Sequence, residues 1–145
     1  MKPLRRLKDS LKRQVMLMKA TSFALVGVVN TAIDLAVFFA AYNLLHLSLI
    51  PANIMAWFVA VSFSYVLNST ITFAAESGRK LRWRDYGTFA ASGVVGAIAN
   101  TATLVLASYV VPVPVAKLMA IAVSFLVNFS MSHFVVFRKK KPAEQ

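Results

Sequence analysis

Two charged side chains stand alone inside long apolar runs of this chain, and each could do chemistry there. Asp34 is the sole charge in residues 22–45, a run of 24. A carboxylate at mid-bilayer costs about 2.5–3.5 kcal/mol on insertion scales. A chain that keeps one supplies a partner, a cavity or a task for it. Asp34 could stay ionised, bonded to Asn30 one turn away or to Asn100 across a bundle. It could rest protonated, because burial disfavours the charged form. It could exchange a proton or bind a hydrophilic cargo. Lys117 lies near the start of the last apolar run. Its ammonium could snorkel to the interface along its own helix, wait for a phosphate, or pair with Asp34. Counted from the helix ends, the two differ in depth by about two turns, so a direct pair needs bending.

Uncharged polar residues accompany them at helical spacing. Gly27, Asn30 or Thr31, and Asp34 fall on one stripe, as do Gly93, Gly96 or Ala97, and Asn100. A third stripe carries Asn53, Trp57, Ala60, Ser64 and Asn68, and a fourth Lys117, Ile121, Ser124, Asn128 and Ser132. Asn and Ser bond across helix interfaces and small residues let helices approach, so these stripes serve either packing or a polar path. Trp57 could face lipid, fill the core or stack on a glycan. There are no cysteines, and His46 and His133 lie in different segments. No thiolate site, metal cluster, phosphate loop or nucleophile–base pair is present. The expectation is therefore no metal, no cofactor and no enzyme.

The elements that hold these residues follow from hydropathy. Of 145 residues, 59% are hydrophobic and 14% charged, against about 25% charged in a soluble domain; the mean hydropathy is +0.67. The expected fold is an all-α membrane protein with four transmembrane helices, about 22–45, 52–73, 86–111 and 115–137. Residues 1–20 place Leu4, Leu7, Leu11, Val15 and Met18 at helical spacing among basic residues, which predicts an amphipathic helix lying on the membrane surface. Residues 21–138 form the membrane domain, and 139–145 a basic disordered tail. The net charge is +11. Fifteen of the 16 Lys and Arg fall in 1–19, 79–84 and 138–141, leaving Lys117. These clusters all flank one end of the spans, and the opposite connectors lack charge, which predicts both termini in the cytoplasm. Nucleic acid is not an expected partner.

The two halves echo each other. Residues 23–34, FALVGVVNTAID, align with 89–100, FAASGVVGAIAN, at offset 66, and 52–60 align with 116–124 at offset 64. Asp34 thus falls opposite Asn100, and Asn53 opposite Lys117. Both units begin and end on the basic side, so two helical hairpins are expected as parallel repeats about an axis along the membrane normal.

The pattern Phe23, Val26-Gly27, Asn30-Thr31, Asp34, followed by Ser62-Phe63, Asn68, Thr72-Phe73 and by Asn100, Ala116-Lys117, Asn128 and Val136-Phe137, resembles the GtrA-like family over about residues 20–138. The resemblance implies a bacterial inner-membrane protein that moves a polyprenyl-phosphate-linked sugar between leaflets for cell-surface polysaccharide modification. For some members it implies instead a supporting role beside a glycosyltransferase. Asn68-Ser69 and Ser132-His133 stand where the family commonly carries arginine, so no role of that arginine transfers. On this reading Asp34, Asn30, Asn68, Asn100, Lys117, Asn128 and Trp57 bind the substrate. Arg79, Lys80, Arg82 and Arg84 meet the lipid phosphate as it approaches. Four short helices enclose little room for a head group, so a dimer is expected. The alternatives are a non-transporting adaptor that anchors a glycosyltransferase and a small proton-coupled cation antiporter built around Asp34.

Overall fold

The computed structural model describes residues 2–131 of the backbone and side chains from 8 to 127; the basic tail, His133 and the side chain of Asn128 lie outside them. Helix α1 runs Lys2–Phe39 and closes in a π-helical turn, Ala40–Leu44. Helix α2 runs Leu49–Leu67 and also ends in a π turn, Asn68–Thr72. A single helical turn, α3 (Ala74–Ser77), leads through the basic loop to α4 (Trp83–Ala107), and α5 begins at Val113 and is described to Met131.

The basic N-terminal segment and the first span are one helix, not two. No Gly or Pro occurs between Pro3 and Gly27, so nothing in the backbone breaks the helix near residue 20. Its 38 residues reach about 57 Å, well beyond a hydrocarbon core of about 30 Å. Lys19 on α1 forms an ion pair with Glu76 of α3, tying the helix to the basic end of the bundle.

The prolines set where the other helices start. Pro51 occupies the first turn of α2, and Pro112 and Pro114 frame the first turn of α5, where a missing N–H costs no helical bond. Helix α4 stops four residues before the expected 111, because residues 108–111 form a turn with Val111 N–H bonded to Ala107 C=O at 2.9 Å. At the opposite end Gly78 closes α3 with φ +62°, the left-handed cap that glycine adopts without a Cβ penalty.

Helices α1, α2 and α4 are long and apolar enough to cross a membrane, and α5 adds a shorter apolar stretch, Val113–Val127. Packing runs α1 on α2, α2 on α4 and α4 on α5. The tightest packing lies at one end of the bundle, beside connectors 45–48 and 108–112. There Phe38, Ala41, Ala52, Ala56, Leu104, Ala107, Ala116 and Ala120 form the core. Six alanines supply most of this contact; small side chains bring helices close where lipid offers no hydrophobic drive to associate. Outward-facing residues remain apolar: Leu25, Val28, Leu106, Leu118 and Leu126 are all exposed. Such a continuous apolar surface fits lipid rather than water.

Candidate functional site

The core end of the bundle holds a polar knot. Lys117 of α5 is fully buried, and its Nζ lies 2.5 Å from Asp34 Oδ2 on α1. The same ammonium donates to Asn53 Oδ1 of α2 at 2.7 Å and sits 4.7 Å above the Phe38 ring centroid. An ammonium only donates, so Asn53 must turn its carbonyl oxygen to Lys117. Its amide nitrogen then donates to Asn100 Oδ1 at 3.0 Å and Thr101 Oγ1 at 2.9 Å, both on α4. Residues from α1, α2, α4 and α5 thus meet in a continuous network. A buried charge is tolerable only when paired and hydrogen-bonded, and Lys117 has both.

The snorkelling alternative for Lys117 does not hold, because its side chain has no exposed surface. The depth mismatch anticipated between Lys117 and Asp34 is absent too. The flexible four-carbon stem reaches the carboxylate directly.

From this knot a cavity of about 410 Å³ runs between the helices toward the basic end. Asp34, Asn53 and Asn100 form its apex, Asn30, Thr31 and Trp57 its walls, and Ser64, Ser92 and Phe89 its far part. The volume falls among small-molecule sites. Two sources of room are visible. Gly93 leaves the wall open opposite Trp57, and a Cβ there would meet the indole only at 3.8 Å. Helices α1 and α5 are not close-packed neighbours, although Ile121 and Ser124 of α5 face the same space as α1.

Asp34, Asn30, Asn100 and Trp57 all line this cavity, and Lys117 stands behind its apex. Asn68 does not line it. It is buried in the π turn that ends α2, its Nδ2 donating to Ser64 Oγ at 3.3 Å. One oxygen in the cavity has no partner: Asn30 Oδ1 is buried without a hydrogen bond, a state that native structures rarely leave unexplained. Asn68 Oδ1 is likewise unpaired.

Arg79, Lys80, Arg82 and Arg84 are exposed. They are separate from the cavity apex. Arg82 borders a second hollow of about 500 Å³ with Phe58, Tyr65, Trp83 and Tyr86. Its backbone is fixed by Tyr65, whose hydroxyl accepts from Arg82 N–H and donates to Arg82 C=O, both at 3.0 Å. Among the described residues no cluster of His, Cys, Asp or Glu could hold a metal.

Asn53 was not among the expected binding residues, yet it is the hub of the knot. The signal was present in the repeat, which sets Asn53 opposite Lys117 and Asp34 opposite Asn100. Both contacts join one half to the other, and Asn53–Asn100 uses the positions equivalent to those of Lys117–Asp34.

Comparison with known proteins gives a consistent result. A family model described as GtrA/DPMS, transmembrane domain, matches residues 22–137. A protein of Shigella phage SfII named bactoprenol-linked glucose translocase is 34% identical over 128 residues, covering 87% of this chain and 100% of the relative. A protein of the same name in Salmonella phage P22 is 33% identical over 126 residues, 85% of this chain and 98% of the relative. A prophage bactoprenol-linked glucose translocase homolog of Escherichia coli K12 is 30% identical over 126 residues, covering 87% and 100% respectively. No solved structure matches the chain.

Proposed function

We propose that this chain, which belongs to the GtrA/DPMS transmembrane-domain family, translocates a polyprenyl-phosphate-linked monosaccharide across the bacterial inner membrane for cell-surface polysaccharide modification. The observation that carries the proposal is the cavity between four apolar helices, with Asp34, Asn30, Asn100 and Trp57 in its lining. A lipid needs no such space for its tail; a sugar head does. The relatives named for translocation of bactoprenol-linked glucose align along nearly their whole length, which supports the same cargo class here.

In this reading α1, α2, α4 and α5 all cross the membrane. The 19 residues of α5 reach about 28 Å, close to the hydrocarbon thickness. The basic end faces the cytoplasm by the positive-inside rule, so both termini are cytoplasmic. Helices α1–α2 and α4–α5 are two parallel repeats, supported by the equivalence of the Lys117–Asp34 and Asn53–Asn100 contacts. The alanine-rich core then closes the outer end, while the cavity extends inward, a state ready to take a head group from the cytoplasmic leaflet. Arg79, Lys80, Arg82 and Arg84 meet the phosphate at that boundary. A glycosyltransferase that builds the same lipid is the proposed partner; the cavity within one chain removes the shortage of room from which a dimer was expected.

The test is leaflet exchange of labelled polyprenyl-phosphate glucose in proteoliposomes. Acceleration above protein-free vesicles is expected, and its absence overturns the proposal.

A further inference from the structure

The cavity has a chemical preference that its lining residues spell out. Its lining carries free acceptors and uncommitted donors side by side. Thr31, Ser92 and Ser124 each spend their hydroxyl proton on a carbonyl of their own helix, at 3.0, 2.6 and 3.0 Å. What they turn outward is lone pairs. Asn30 Oδ1 is buried and unpaired. Asp34 commits Oδ2 to Lys117, and an ionised carboxylate has only acceptor capacity left. Against these stand neutral donors such as the Asn100 amide nitrogen, whose oxygen already accepts from Asn53.

Among the described residues no cation lines the cavity. Lys117, the basic residue at its apex, has no exposed surface, and its ammonium is shared between Asp34 and Asn53. A phosphate accepts hydrogen bonds but donates none when ionised. Placed here it would meet the Asp34 carboxylate with no free cation among the described residues to balance it, a costly arrangement for a charge taken out of water. A polyol fits the opposite way: each hydroxyl donates one hydrogen bond and accepts others, so it satisfies both sets of groups.

We infer that the cavity binds a neutral, hydroxyl-rich sugar head alone and excludes the phosphate, which stays outside it on the side of the basic loop. The inference rests on the transport reading above for the identity of the cargo. It assigns Asn30 as a direct hydrogen-bonding partner of a sugar hydroxyl. It also gives Lys117 a positioning role, holding Asp34 and Asn53 rather than receiving the phosphate.

Trp57 lines the cavity and supplies the readout. The chain has two tryptophans, so Trp83→Phe, at an exposed site, leaves Trp57 as the single reporter. The full chain in nanodiscs of zwitterionic lipid is titrated with methyl glucoside and, separately, with inorganic phosphate at matched ionic strength. The glucoside is expected to change Trp57 emission saturably, and phosphate neither to change it nor to shift the glucoside midpoint. Asn30→Ala should raise that midpoint about three- to tenfold, the worth of one neutral hydrogen bond. Displacement of the glucoside by phosphate, or no saturable glucoside response, overturns the inference even where the variant fails to fold. Leaflet exchange separates this from the function itself. Transport with phosphate displacement sinks only the cavity's preference; glucoside binding without transport sinks only the function.

Discussion

Replacing Lys117 with methionine should be among the most damaging single changes available in the bundle. The substitution keeps the stem's volume and removes the ammonium. Asp34, 15% exposed in its side chain, then loses its counter-charge, and Asn53 Oδ1 loses its donor. Removing one partner of a buried pair costs about 3–5 kcal/mol. A lone carboxylate at helix centre costs about 2.5–3.5 kcal/mol by the insertion route. The two estimates agree, so Lys117→Met should lower unfolding stability by roughly 3–4 kcal/mol. The double variant with Asp34→Leu removes both charges and leaves an apolar core contact beside Phe38. Such replacements of a whole pair are often neutral or better, so the double variant should be the more stable of the two by about 2 kcal/mol or more. The assay is equilibrium unfolding in mixed micelles, run as a double-mutant cycle. If the losses of Lys117→Met and Asp34→Leu simply add in the double variant, within about 0.5 kcal/mol, the two side chains do not meet and the knot is not as drawn.

Asn53→Ala should cost about 1–3 kcal/mol by stranding the Lys117 and Asn100 groups it joins, again read by unfolding. Gly93→Ala should leave folding intact or raise stability by up to about 1 kcal/mol, since its Cβ meets only the Trp57 ring at 3.8 Å. Gly93→Leu should instead fill the cavity and abolish leaflet exchange while circular dichroism stays unchanged. Breaking the Lys19–Glu76 pair with Lys19→Ala should move stability by less than about 1 kcal/mol, because both side chains are substantially exposed.

The apolar runs made the spans legible, because a helix through lipid must be apolar for about 20 residues. The stripe Asn30–Asp34 and the position of Asn100 opposite it were legible for a similar reason: polar groups inside a membrane need an inward face. The meeting of Lys117 with Asp34 was not. Counting along each helix from its connector ignores how neighbouring helices slide past one another, and hydropathy carries no record of that register. The unbroken α1 was missed because a switch from basic to apolar composition looks like a boundary. Composition marks where water ends, whereas only Gly, Pro or an alternative bonding partner ends a helix. Asn68 shared a stripe with Trp57 yet does not line the cavity; at the start of the π turn its side-chain amide donates back to Ser64, a choice of side-chain direction that spacing does not record.

The Lys117–Asp34 pair also bears on what drives movement. Along the described spans these two side chains are opposite in sign and in contact, so together they carry zero net charge through the transmembrane field. An unmatched elementary charge would gain or lose about 2.3 kcal/mol per 100 mV on crossing. An empty carrier built this way can reorient without electrical work, and the membrane voltage then acts only on whatever charge its passenger brings.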